Sequence, residues 1–344
     1  MTRGRRLPAA AIVLAASLVA GTALTAAVSL SGGFDRAAEQ ADLPDLIVRF
    51  ARADREFVDD RLGALPNVAT TSYRLELGHA RLEAHGEHVH TGAVHVVEPG
   101  RRGYAIVAGR DVAGPDEVAV EAGVARELRV GVGDVMRIGR GRFPLRVVGI
   151  ARSPDNVAYP LAKVPRVYVP GEWLPWLGDD VNVALVWLRD RSREDVTLAQ
   201  ARGVSFGLDD LRYVTRDGVR ILVGQAAGIV IALLVAFSVV AVATAGIMLG
   251  ASARSEVARR LPAIGVQRAV GFSRRAIVRE QAGRAALVAA PAAAAGVAAG
   301  ALAMRGPSER LLDALNEAGP GAALVWWLAA AWAAVVGLVA AASA

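Results

Sequence analysis

Four stretches of this chain contain no charged residue: Leu7–Phe34, Ile221–Ala253, Ala285–Met304 and Ala318–Ala344. A helix needs about 20 apolar residues to cross a hydrocarbon core roughly 30 Å thick. The shortest of the four has 20 residues and the longest has 33. A core helix of a soluble protein carries polar residues on its outer face, so uncharged runs of this length point to membrane spans instead. The pattern predicts four transmembrane helices. The first run has a basic start at Arg3, Arg5 and Arg6, as a signal peptide would. Its 28 uncharged residues far exceed an apolar signal core of about 7–15. No small-x-small cleavage site precedes a soluble start, so it reads as a retained span.

The formal net charge is +6 and the pI is near 10.4. That balance could suggest nucleic acid, but its location argues otherwise. Arg254–Arg284 holds eight arginines and two glutamates, and the first six residues hold three arginines. Everything else is net acidic. Basic residues confined to the ends of apolar runs follow the positive-inside pattern, not a phosphate-binding groove. Lys163 is the single lysine, and there is no cysteine, so disulfides and thiolate chemistry are excluded.

Charge placement then sets an arrangement in the cell inner or plasma membrane. Residues 1–6 form a cytoplasmic basic N-terminus, and 7–34 the first span. Residues 35–220 form a large extracytoplasmic region, and 221–253 return as the second span. Residues 254–284 make a cytoplasmic loop, 285–304 the third span, 305–320 a short external loop, and 321–344 the fourth span. The expected fold class is an α-helical, multi-pass membrane protein with a large mixed α/β extracytoplasmic domain between helices 1 and 2.

That domain carries strand and helix signals in turn. Asp42–Leu65 reads as a strand followed by an amphipathic helix, with Phe50, Phe57, Leu62 and Leu65 expected in the core. "TSYRLEL" alternates, with Leu75 and Leu77 on one face. "AVHVVEP", "GYAIVAG", "EVAVEAG", "FPLRVVGIA" and "VNVALVWLRD" are short β-rich runs between Gly, Pro and Asp turns. "AGVARELRVGVGDVMRIG" predicts a short helix, a turn at Gly133–Asp134 and a strand. Ser192 is the expected N-cap of a late helix.

The basic loop has its own internal structure. Pro262 suits a first helical turn, Gly271 suits the residue just past a helix end, and Ser273 can cap the next helix. A short helix over Pro262–Val270 would show apolar Ile264, Val266, Ala269 and Val270 beside Gln267 and Arg268. Such an element could anchor to anionic lipid headgroups or dock a cytoplasmic partner.

"PAIGVQRAVGFSRRAIVREQAGRAAL" (Pro262–Leu287) resembles the signature of FtsX-like, MacB-type ABC transporter permeases. Ile264-Gly265, Arg268-Ala269, Gly271, Ser273-Arg274-Arg275 and Ile277 match it in register. Ala263 and Gln267 stand where that signature has glutamate and leucine. One helix, a large external domain and three further helices is also that family's arrangement. "VAVEAGVARELRVGVGDVMRI", "PLRVVGIARSPDN" and "VPRVYVP" resemble its periplasmic core domain. The resemblance implies that the loop holds a coupling helix, with Pro262, Ile264, Gly265, Val266, Arg268, Ala269, Val270 and Gly271 at the ATPase interface. It implies a permease working with a separate cytoplasmic ABC ATPase, in export or in lipid or lipoprotein handling. An FtsX-like regulator that activates cell-wall hydrolases by the same mechanics is the alternative. The permease would act as a homodimer, or as a pseudo-dimer with a second permease half. The fourth span ends at Ala344 without the basic anchor seen at Arg6, Arg254 and Arg284, so the chain is expected to be the N-terminal part of a longer permease.

Other signals are weaker. His79, His85, His88, His90 and His95 cluster with Glu83 and Glu87. Imidazole and carboxylate can hold a metal, but solvent-facing hairpin residues are the simpler account, and no metal or cofactor is expected. Gly246-x-x-x-Gly250 and Gly296-x-x-x-Gly300 permit close helix contact, although such patterns are common in Gly/Ala-rich helices. Pro291 sits within the third span. No Walker A, G-x-S-x-G or H-E-x-x-H motif occurs, so the chain is not expected to be an enzyme.

Overall fold

The computed structural model describes residues 7–139, 143–173, 178–204, 207–222 and 273–321, with scattered helical positions through 224–247 and 326–336. They belong to two compact units. One holds Met1–Gly32, Ala227–Arg310 and Gly319–Ala344, and the other holds Gly33–Ala226 and Leu311–Ala318. The first unit begins with α1 (Leu7–Leu30). Within it, Val13–Leu30 has a mean hydropathy of 2.0 and is the one stretch among the described residues with the length and apolarity of a membrane span.

The second unit opens with α2 (Gly33–Gln40) and β1 (Leu46–Asp54). Asp54 ends the strand and caps α3 (Arg55–Gly63), accepting from the Glu56 and Phe57 N–H groups at 3.0 and 3.2 Å. Val58 and Leu62, one turn apart, form the buried face of α3. Phe57, expected in the core, is instead 36% exposed, because it lies beside that face under the Arg61 guanidinium. Phe50, Leu62 and Leu65 are buried as expected.

The chain then forms the hairpin β2 (Val68–Ala84) and β3 (Glu87–Val97). His85 and Gly86 turn it with φ of 51° and 82°, the left-handed pair that a tight hairpin needs. There follow β4 (Ala105–Gly109), β5 (Glu117–Glu121), α4 (Ala122–Glu127) and β6 (Val135–Ile138). Next come β7 (Phe143–Arg152), β8 (Arg166–Pro170) and β9 (Asp180–Leu188). The unit ends its regular run with α5 (Glu194–Val204) and β10 (Arg212–Thr215). Gly133, at φ 100°, makes the expected turn into β6. Ser192 is not the cap of α5. A 3-10 turn over Arg191–Arg193 precedes that helix, and the carboxylate of Asp190 caps it by accepting from Ser192 N at 3.0 Å.

The strands form one mixed sheet in the order β10-β1-β9-β2-β3-β8-β5-β7-β4, with β6 beside β2 and β7. Two apolar cores cover different stretches of it. Leu46, Val48, Phe50, Val58, Leu62 and Val186 pack around α3 and α5. Val94, Val118, Val124, Leu128, Met136, Val147 and Val167 pack around α4.

The last described helix, α6 (Arg274–Leu315), has 42 residues. It begins directly after Ser273 and contains Pro291 and Pro307. It runs on through residues 305–315, beyond the third expected span. Its middle belongs to the first unit, where Val13, Ala289 and Ala293 share a small core with Trp332 and Val336. The bare Cα of Gly296 faces helix α1: a Cβ there would meet Leu14 O at 2.5 Å and Ser17 Cβ at 2.8 Å. A Cβ on Gly300 would collide with Leu18 O and meet Thr22 N at 2.8 Å. One on Gly21 would meet Val297 Cα at 2.7 Å. The pairings 14 with 296 and 18 with 300 advance together, so α1 and α6 run parallel. Gly296-x-x-x-Gly300 is therefore a true contact stripe, and Gly246-x-x-x-Gly250 lies outside the described residues.

Candidate functional site

The residues expected at the ATPase interface, Pro262, Ile264, Gly265, Val266, Arg268, Ala269, Val270 and Gly271, all lie outside the described residues. The site that can be built is the root of the sheet unit, where the chain enters it, leaves it and returns to it.

Entry and exit are zipped together. β1 pairs antiparallel with β10, Leu46 opposite Thr215 and Arg49 opposite Arg212. The residue before β1, Asp45, is buried and works in three directions. Its N–H donates to Val186 O and its carbonyl accepts from Arg216 N, both at 2.9 Å. Its carboxylate accepts from Leu188 N at 2.8 Å and pairs with Arg191 at 2.7 Å. Upstream, Arg101 grips both carboxylate oxygens of Asp42 at 2.5 Å and lies over the Trp187 ring. Beyond β10, Arg220 pairs with Asp35 of α2 at 3.0 Å. The two connections thus form one polar, hydrogen-bonded root.

The third segment is Leu311–Ala318. Asp313 pairs with Arg152 at 2.7 Å and with Arg126 at 3.7 Å. The Ala158 N–H donates to Ala314 O at 3.0 Å. Asn316 takes a left-handed turn, φ 57°, that ends the helical run. Its amide donates to Glu121 Oε1 and to Asn156 O, both at 3.0 Å. Ala318 N donates to Gly33 O, and Arg36 donates back to Ala318 O at 3.0 Å.

From Glu121 a seam of buried charge crosses the sheet. Arg166 meets Glu121 at 3.2 Å and Asp155 at 2.5 Å. Arg74 meets Asp155 at 3.6 Å and Glu76 at 2.7 Å. Glu76 also binds Arg49, and Asn182 of β9 brackets its backbone, accepting from Glu76 N and donating to Glu76 O. Three arginines and three carboxylates thus alternate from β5 to β1. Burial alone would raise both acids. For Asp155, Arg166 and Arg74 reverse this and hold it well below the ordinary carboxylate range. For Glu76, neighbouring His95, Arg74 and Arg49 outweigh burial and hold it at about 2. Burial drives His95 down to about 3, so the imidazole is neutral near pH 7 and the two arginines hold Glu76 there.

His95 corrects the hairpin reading: it is 2% exposed, beside Glu76 and edge-on to Tyr168. His88 and His90 do meet each other, ring to ring, near the hairpin end. No group of metal-ligating side chains occurs among the described residues. The seam itself escaped the sequence reading. Its signal was parity: Ser72, Arg74 and Glu76 lie on the face of β2 opposite Leu75, and all three are buried or nearly so.

The arrangement ties three chain segments to one sheet through directional, charged contacts. The model of the MacB-like periplasmic core domain matches residues 10–204, and that of the FtsX-like permease C-terminal region matches residues 235–344. No curated protein matches the chain. Among solved structures, the extracellular domain of the noncanonic ABC-type transporter YknZ from Gram-positive bacteria is similar at 13% identity and a TM-score of 0.36, covering 49% of this chain and 98% of that one. The periplasmic region of MacB from Actinobacillus actinomycetemcomitans is similar at 10% identity and 0.37, covering 52% and 92%.

Proposed function

The chain belongs to the FtsX-like, MacB-type ABC permease family, and from that premise we propose that it is a permease subunit that moves its sheet domain when a separate cytoplasmic ATPase hydrolyses ATP. The work so driven is export or the handling of lipids or lipoproteins. The observation that carries this reading is the pairing of β1 with β10. A displacement of either flanking helix would reach the sheet through adjacent, hydrogen-bonded strands rather than through slack linkers. The parallel course of α1 and α6 fits a topology in which the first and third helices cross outward. Four spans, the extracytoplasmic side of the sheet domain and pairing with a second permease half belong to the same proposal.

In this reading the ATPase docks on Pro262, Ile264, Gly265, Val266, Arg268, Ala269, Val270 and Gly271. Val266→Asp places a carboxylate in an apolar interface, at a cost of several kcal/mol unless a partner is found. The expected result is loss of ATPase co-purification and of stimulated turnover, with membrane insertion intact. Unchanged association and turnover would sink the coupling assignment.

A further inference from the structure

Leu311–Ala318 closes on the sheet unit with two acids in contrasting surroundings. Asp313 has two arginine partners. Glu317 is 3% exposed, and its Oε2 meets no hydrogen-bond donor. That oxygen rests against Gly33, where a Cβ would collide with Oε2. Leu312 forms another wall of the same site. The charged groups facing Glu317 are Arg36 and Asp35 of α2. Each is committed elsewhere as well, Asp35 to Arg220 and Arg36 to the Ala318 carbonyl. On the neighbouring turn, Asn316 is held by Glu121, itself occupied by Arg166.

We propose that Glu317 makes this clasp proton-sensitive: the segment seats on the sheet unit with Glu317 as the neutral acid and loosens when the carboxylate ionises. The proposal concerns regulation of the junction described above and rests on reading that junction as the moving part of a permease. Burial is the largest influence on Glu317 and pushes it up to about 7; Arg36 opposes this and Asp35 adds to it. An acid raised on docking favours the docked state fully below its ordinary value of 4.5 and loses that contribution as pH rises toward about 7. Acid outside therefore closes the clasp, and neutral or alkaline medium eases it.

The test is hydrogen exchange on the full chain in lipid nanodiscs, at about pH 5 and about pH 8, corrected for intrinsic exchange rates. The reporting amides are Ala318, bonded to Gly33 O, and Ala158, bonded to Ala314 O. The internal reference is the Gly133 amide, bonded to Val147 O in the same unit. At the higher pH, protection of the clasp amides should fall by about 10- to 100-fold while Gly133 keeps its own. Glu317→Gln should abolish the difference. Equal clasp protection at both pH values, or an unchanged response in Glu317→Gln, overturns the proposal. If that variant fails to insert, the wild-type comparison against Gly133 still decides. No ATPase is needed for this readout, so failed coupling and a failed clasp are separate outcomes.

Discussion

Helix α6 is held by opposite means at its middle and at its end. Around Gly296 and Gly300 it meets α1 backbone to backbone, with glycine supplying closeness and alanine filling the rest. At Leu311–Ala318 buried Leu312 and Leu315 are joined by polar and charged ties that each name a particular partner. In the proposed topology this stretch crosses the membrane, where shape is what a helix can use because lipid tails compete equally well for apolar surface. Directional bonds serve where water would otherwise compete, and buried ions there need their counter-charges.

This contrast can be broken at either end. The largest effect is expected in the seam. Arg166→Met removes the shared partner of Glu121 and Asp155 and leaves two buried carboxylates under-compensated. Breaking such a pair costs about 3–5 kcal/mol, read as a lowered unfolding midpoint of the sheet unit in the full chain. An unchanged midpoint would mean that the seam is not needed for stability. The helix contact should respond less. Gly300→Leu forces a side chain into the backbone around Leu18 and Thr22, an overpacking cost of about 1–3 kcal/mol. Engineered cysteine cross-linking between α1 and α6 should weaken while the sheet unit melts as before. Gly224→Ala, which meets nothing within 4 Å, is the neutral control. The smallest effect is pH-linked. Glu76 is depressed to about 2, so its contribution is present above the ordinary carboxylate value and is lost as pH falls through about 4 toward 2. The unfolding free energy from urea titrations should fall by roughly 1–2 kcal/mol more in the wild type than in Glu76→Gln between about pH 5 and about pH 3. Both should share the earlier loss that buried, neutral His95 brings as its unfolded form takes up a proton below its ordinary value of 6.5. An equal loss in both proteins below about pH 5 would remove Glu76 from the account.

Much of the sheet unit was legible in the sequence because period-2 alternation reports which residues share a face. β2 follows from that pattern, β1 and β9 from β-rich runs between turns, and α3 from helical spacing. β8 and β10 did not, since "RVYVP" and "RYVT" are too short to show a period. Alternation also cannot say what covers a polar face. His95 is expected among solvent-facing hairpin residues, and alternation does not mark Arg74 or Glu76 as buried, yet residues far away in sequence close over all three. The clasp was read as a loop because its polar residues follow an uncharged run, where a loop is the ordinary expectation. The Gly296–Gly300 stripe was invisible for a different reason: in an Ala/Gly-rich helix every face offers small residues, and only the partner's position picks one out.

Asn316 follows Thr215 by 101 residues in the chain. At about 5–20 residues per second, the ribosome delivers it roughly 5–20 seconds after the last strand of the sheet has emerged. For that interval Glu121 has Arg166 but not its amide donor, and the surface that receives Ala314 and Glu317 stands open. The sheet can assemble early, but it is finished only when the end of α6 arrives. Completion of the domain therefore waits on a later part of the chain, and the bonds of Asn316 to Glu121 and Asn156 are among the contacts that mark its arrival.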